Sequence, residues 1–437
     1  MSLLIVAAAI ACLIALVAGA KLHPFLAFVL VSTAAALALG VPPDRVPDVV
    51  KQGVGGILGK LLITIVAGAM LGRLVVESGA AQKIATVLVE WCGRPRIAWA
   101  MALTGLIVGI PLFYGVGFVL VVPIVFAATA RYGLPPLVVG VPALAALSVA
   151  HGLLPPHPGP TGLVPKFGAD MGLTLLYGLI IAGPAIILAG PIFARFLASV
   201  SARPLAGLET RPLADDQLPG GAASVFTALL PAVLLLVTTA ARMLLPASSP
   251  AAPWAKLAAD ADLVMLATLA VAAVTLGLCR GRPFTAVMDT YSKAIGDVAS
   301  VLLVIAGSGA FGAMLLESGV DKTITGLLRD LPVSPLVLAW LVTVVIRACV
   351  GSATVAGLTA ADLIAPLAGG GDVNPNLMVL AIGAGSLALS HVNDAGFWLF
   401  KEYFGLSIAD TLRTWTVMET IVAVVGLAGV LVLSRVV

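Results

Sequence analysis

Shifted against itself by 240 positions, the sequence lays Glu77-Ser78-Gly79 on Glu317-Ser318-Gly319 and, without a gap, His151 on His391. The same register pairs Gly56 with Gly296, Ile65 with Ile305, Gly72 with Gly312, Ile84 with Ile324 and Pro135 with Pro375. Apolar positions match cheaply in a chain like this one, whereas Glu and His do not, so the register marks a tandem duplication. Two halves of common descent fold alike. In a very hydrophobic chain such halves are expected in opposite membrane orientations around a site near the midplane, the plan of secondary transporters.

The hydrophobicity is not in doubt: 60% of residues are hydrophobic and 10% charged, with a mean hydropathy of +1.13, against roughly a quarter charged in a soluble domain. In lipid every backbone N–H and C=O must be satisfied internally, and the long apolar segments favour helices over barrel strands, so the expected fold is an all-α polytopic membrane protein. A net charge of +3, scattered along the chain, gives no footprint for nucleic acid. The four cysteines, Cys12, Cys92, Cys279 and Cys349, form no CxxC pair and read as free thiols. Residues 2–20 lack a basic leader and a small-residue cleavage motif, and read as a retained span.

Apolar runs of spanning length, about 20 residues, occur at 2–20, 24–41, 56–76, 171–194, 223–241, 263–279, 298–316 and 414–434. Four further segments are interrupted. Residues 97–130 carry no charge through to Ala130 and break at Gly109-Ile110-Pro111 and Gly115-Val116-Gly117, and 335–366 break at Gly351-Ser352-Ala353-Thr354 and Gly357. Both read as helical hairpins that enter the membrane and turn back. Residues 135–165 dissolve at His151 to Thr161, and 375–405 dissolve at Ser390 to Gly396, as spans unwound in mid-membrane. Backbone freed by Pro and Gly at that depth is tolerated only beside other protein or a water-lined cavity, which makes each break a candidate site wall.

Each half then holds five spans, a re-entrant hairpin and a broken helix, and the odd number of crossings inverts the second half. The expected organisation is a first repeat over 1–200, a polar linker over 201–222 and a second repeat over 223–437. With the N-terminus outside, the cytoplasmic loops collect thirteen Lys and Arg against eight in the outer loops, Lys166 among the latter, and the linker is cytoplasmic.

Three segments are similar to those of the gluconate permeases: His151-Gly152-Leu153-Leu154-Pro155-Pro156-His157-Pro158, Gly351-Ser352-Ala353-Thr354-Val355-Ala356-Gly357 and Ser390-His391-Val392-Asn393-Asp394-Ala395-Gly396-Phe397-Trp398. The resemblance extends over essentially the whole chain. It implies a proton symporter for gluconate or a related sugar acid in the bacterial cytoplasmic membrane, working by an elevator motion. Residues 2–41 and 223–280 would form the scaffold, 56–200 and 298–437 the mobile transport part, and assembly as a homodimer is expected through the scaffold.

Gluconate is one carboxylate on a chain of hydroxyls, so its site needs an anion focus and many neutral partners. Helix N-termini at the hairpin tips supply the focus. Ser352, Thr354 and Tyr114 lie at those tips, Thr161 closes the Pro-rich break, and Asn393 offers both donor and acceptor. Arg347 is placed either to meet the substrate carboxylate or to pair with Asp362 across its hairpin. Ionisable residues inside hydrocarbon point to function by default. Asp394, His391 and His151 are the expected proton carriers, and His157 joins them in the substrate site, each His having the alternative of bracing a break through a carbonyl. Glu77 and Glu317 read as structural. Sodium coupling stays open, as does a different small hydroxy-carboxylate. A channel, or an intramembrane hydrolase using Ser352 or Ser390, would be separated by accumulation of unchanged substrate in sealed vesicles. No HExxH, GxSxG or metal-spaced carboxylate set is present, so no enzyme activity, catalytic residue, metal or cofactor is expected.

Overall fold

The computed structural model describes residues 2–202, 213–246, 248–320, 323, 333–368, 373–392 and 394–437, and every regular element among them is helical. The first half runs α1 (Ser2–Ile14), α2 (Pro24–Ala38), α3 (Val46–Glu77), α4 (Ala80–Cys92), α5 (Ile97–Gly109), α6 (Tyr114–Tyr132), α7 (Pro136–Leu153), α8 (Pro158–Phe167) and α9 (Met171–Ile187). The second runs α10 (Gly221–Leu244), α11 (Ala252–Ala258), α12 (Ala261–Ala272), α13 (Phe284–Glu317), α14 (Pro335–Val350), α15 (Ala353–Ala368), α16 (Pro375–Gly385), α17 (Ala395–Phe404) and α18 (Ile408–Leu433). Elements recur near the 240-residue spacing: α3 with α13, α5 with α14, α6 with α15, α7 with α16, α8 with α17, and α9 with α18.

Among the described residues, seven helical stretches are long and apolar enough to cross a membrane. Of the expected spans at 2–20 and 24–41, the first is α1 continued without a break by a π-helical turn over Ala15–Gly19, and the second is α2, with 15 residues. The chain turns between them because Lys21 takes a positive φ of 58°, and Pro24 restarts the helix with the His23 ring accepting from the Phe25 N–H. At the other extreme, α3 and α13 have 32 and 34 residues, about 50 Å at 1.5 Å per residue, well beyond a hydrocarbon core of about 30 Å.

Those two long helices cross through small residues. A Cβ on Gly53 would stand 2.8 Å from the Ala310 Cα, and one on Gly309 would stand 2.6 Å from Ile57, so the backbones approach as in small-xxx-small packing. Glu77 binds Arg73 at 2.9 Å, Arg282 at 3.4 Å and the Thr290 hydroxyl at 2.6 Å, tying the end of α3 to the start of α13, while Glu317 meets Arg45 at 3.1 Å. The described end of the linker is docked by Gln82, whose amide exchanges two 2.9 Å hydrogen bonds with the Leu213 backbone.

The helices that precede the two breaks form the centre. In α7 nearly every residue from Leu137 to Leu153 is buried, and in α16 every residue from Asn376 to Gly385 is. Helices apolar all round belong in a core. They cross at Gly152 and Gly383, where any side chain on Gly383 would run into the Gly152 carbonyl. Glycine is required at that contact because the two interrupted segments meet backbone to backbone.

Candidate functional site

Three helix N-termini converge on one cavity of ≈390 Å³: Tyr114 and Gly115 open α6, Ala353 and Thr354 open α15, and Ala395 and Gly396 open α17. Local sequence explains each start. Gly351, at φ 78°, ends α14 in the left-handed conformation with its N–H on the Arg347 carbonyl, and the Ser352 hydroxyl then takes the Val355 N–H at 3.4 Å. The extended backbone of Phe113 sends the chain into α6. Asp394 caps α17 by accepting from the Gly396 N–H at 2.9 Å. Aligned N-termini place partial positive charge at the cavity wall, which favours an anion.

Arg347, 3% exposed, supplies the full positive charge. Its Nη2 pairs with Asp394 Oδ2, which also accepts the Ser390 hydroxyl, and Ser390 in turn accepts from the Trp415 indole at 2.7 Å. Two guanidinium nitrogens, Nε and Nη1, are buried with no hydrogen-bond partner among the described residues. The same holds for the Tyr114 hydroxyl, His151 Nδ1 and one oxygen of Glu419, all on residues lining this cavity. Buried polar groups are ordinarily satisfied. Five such atoms around one space form a donor and acceptor set waiting for a polar, anionic guest, in a volume within the range of about 300–1,000 Å³ usual for small-molecule sites.

Of the residues singled out from the sequence, Tyr114, His151, Arg347, Ser352, Thr354 and Asp394 line the cavity together. His157 and His391 do not. His157 puts Nε2 2.7 Å from the Gly109 carbonyl and His391 puts Nε2 3.0 Å from the Ala348 carbonyl, so each braces a break against the last turn of the neighbouring helix, α5 or α14. Thr161 is buried with its hydroxyl unpartnered and is not among the lining residues. Asn393 lies outside the described residues.

The alternative of an Arg347–Asp362 pair does not occur. Asp362 sits nine residues into α15, about 14 Å along its axis, too far up the second arm to meet a side chain just below the turn. It pairs instead with Lys166 of α8 and accepts the Ser308 hydroxyl of α13 at 3.2 Å. Lys166 is thus no outer-loop residue: its side chain is 9% exposed, in an ion pair that joins the two halves.

Sequence reasoning missed Ser148, Trp415 and Glu419. Ser148 and Trp415 carry no signal that separates them from core residues. Glu419 does: it is the only acidic residue in the apolar run 414–434, and an ionisable residue inside such a run is costly unless it has a task.

Comparison with known proteins bears on what this cavity serves. A family model described as GntP family permease matches residues 1–436. The high-affinity gluconate transporter of Escherichia coli (strain K12) is 46% identical over 100% of both chains, and the gluconate permease of Bacillus subtilis (strain 168) is 44% identical, again over 100% of both. The Gnt-II system L-idonate transporter of E. coli is 42% identical over the full length of each. Among solved structures, the Alcanivorax borkumensis YdaH transporter aligns with a TM-score of 0.66 at 17% identity, covering 94% of this chain and 97% of that one, a likeness of fold. The chain is therefore a multi-pass permease of the bacterial cytoplasmic membrane, not an enzyme, and it belongs to the GntP family.

Proposed function

We propose that the protein imports gluconate or a closely related sugar acid together with protons, by elevator-type alternating access of two inverted repeats. The observation that carries this reading is the cavity where three helix N-termini and the unpartnered atoms of Arg347, Tyr114 and His151 converge. Arg347 takes the substrate carboxylate through the nitrogens that Asp394 leaves open, while Tyr114, His151, Ser352 and Thr354 serve the hydroxyl chain. Asp394 holds Arg347 in place and completes the charge balance. The names of the full-length relatives, gluconate and L-idonate transporters, support an aldonate as substrate.

Proton coupling follows from charge. A monoanion entering against an inside-negative potential is opposed by about 2.3 kcal/mol per 100 mV, and one co-transported proton cancels that term. The correspondence of elements at the 240-residue spacing supports the repeats, 1–200 and 223–437, and supports treating α5–α6 and α14–α15 as re-entrant hairpins. In the elevator scheme 2–41 and 223–280 stay fixed and join two copies as a dimer, and 56–200 with 298–437 carry the cavity across.

Uptake of labelled gluconate into proteoliposomes under imposed pH or sodium gradients tests the reading. Accumulation driven by an inward proton gradient, with sodium without effect, is the expected result; accumulation that needs sodium, or none at all, would overturn it.

A further inference from the structure

Glu419 stands apart from the other buried acids among the described residues. It is 3% exposed on α18 and lines the central cavity. One carboxylate oxygen accepts the Ser148 hydroxyl of α7, while the other, Oε2, is buried without a partner, and no cation stands within ion-pair distance of it among the described residues. Asp394, on the same cavity, is the opposite case: one oxygen holds Arg347 and Ser390, and the other holds the Gly396 N–H. Asp362 has Lys166 and Ser308. An ionised carboxylate with no cation is very unfavourable in a dry interior. The open oxygen of Glu419 is where a proton can sit.

The groups facing Glu419 leave that place free. Arg347 on α14 is already committed to Asp394; His151 on α7 and Tyr114 on α6 line the same space as neutral donors or acceptors; α9 and α16 bring no Asp, Glu, Lys, Arg or His. Arg347 and Asp394 cancel, so the empty cavity carries one net negative charge when Glu419 is ionised and none when it is protonated.

We propose that Glu419 is the proton carrier of the symport. The proposal rests on the sugar acid and proton reading above and names the group that performs the coupling. From the outward-facing state the Glu419 carboxylate takes one proton onto Oε2, forming an O–H that a substrate hydroxyl can accept. The anionic substrate enters beside Arg347. In the inward-facing state the substrate leaves and the O–H bond breaks, releasing the proton to the cytoplasm, so one proton moves with each substrate. Like charges roughly 8 Å apart at an effective dielectric near 20 change an affinity on the order of 30-fold. Reciprocity then makes substrate binding favour protonation by the same factor, which is the coupling.

The test uses Glu419→Gln and Glu419→Asp in proteoliposomes beside the wild type. Gln has the shape of the protonated acid and cannot release its proton. With Glu419→Gln, exchange of internal for external gluconate should persist at an altered rate with its pH dependence flattened, while accumulation driven by a pH gradient disappears; Glu419→Asp should restore part of that accumulation. Accumulation by Glu419→Gln that still follows the pH gradient would place the proton elsewhere, on His151 or Asp394, and overturn the proposal. So would loss of both exchange and accumulation in a variant that elutes and melts like the wild type. A wild type driven by sodium and indifferent to pH would instead sink the proton reading itself. Should the Gln variant fail to fold, a second measurement decides: gluconate added to wild-type protein in weakly buffered detergent must raise the pH, and the Asp variant must shift the pH range of that uptake. No proton uptake, or an unshifted range, would contradict the assignment.

Discussion

Replacing Lys166 by Met removes one partner of a buried ion pair and leaves its volume nearly filled. Asp362 would then keep only the Ser308 hydroxyl, with its side chain 4% exposed and the cationic end of Lys166 gone. Breaking a buried pair in this way costs about 3–5 kcal/mol, because a charge is left uncompensated, whereas replacing both partners is often neutral. Space for the pair is built in: a Cβ on Gly312 would stand 2.7 Å from Asp362 Oδ1. With an unfolding entropy of about 2.1 cal/mol/K per residue, the single substitution lowers the melting temperature by roughly 3–5 °C. That figure is a floor, since membrane helices stay largely formed on unfolding and the entropy is smaller. Tryptophan-fluorescence melting of the purified protein in detergent should show Lys166→Met clearly destabilised and the double substitution with Asp362→Leu restored most of the way to wild type. A double variant as unstable as the sum of the two single ones would refute the idea that the pair acts as a unit joining the halves.

Tyr114→Phe deletes a buried hydroxyl that has no partner in the empty cavity, so it should leave the melting temperature equal or higher while weakening gluconate affinity about 10- to 100-fold, the worth of an unmet hydrogen bond of about 1–3 kcal/mol; a loss of stability in melting curves, or an unchanged affinity in a binding titration, would count against a hydroxyl aimed at substrate. Thr354→Val, at the first turn of α15 on the cavity wall, should reduce affinity by a similar factor at little expense of stability, which equilibrium binding and melting measured together will check. Gly105→Ala should lower stability by about 1–3 kcal/mol through overpacking, because its Cβ would lie 2.9 Å from backbone carbon of Ala143 and neither helix can give way; an unshifted melting curve would show that α5 and α7 are not in contact there.

Much of this architecture is legible in the sequence because lipid enforces it. Gly and Pro clusters inside apolar runs have few places to go, so the turns before Tyr114 and Ser352 and the interruption after Leu153 fall where the composition put them, whereas α16 already ends at Gly385, ahead of the break expected from Ser390 onward. Convergence is different. That Tyr114, His151, Arg347, Ser352, Thr354 and Asp394 share one wall depends on how α7 and α16 cross at Gly152 and Gly383, a contact between backbones that no side-chain pattern announces. The role of each histidine was equally hidden, since cavity lining by His151 and carbonyl bracing by His157 and His391 differ only in which way a ring turns. Lys166 looked like a loop residue because it sits at the end of an apolar stretch, and its partner is 196 positions away in the chain. Glu419 was readable as an acid in an apolar run, and its partner Ser148, an ordinary serine 271 positions earlier, was not.

Transport as proposed here requires the cavity beneath the three helix N-termini to be the substrate site. A cryo-electron microscopy structure of the protein with saturating gluconate tests it most directly. Ligand density is expected there, with the carboxylate against Arg347 and hydroxyls within hydrogen-bond reach of Tyr114 and Thr354. Density in the separate charged pocket bordered by Arg73, Glu77 and Asp297, with the central cavity left empty, would contradict it.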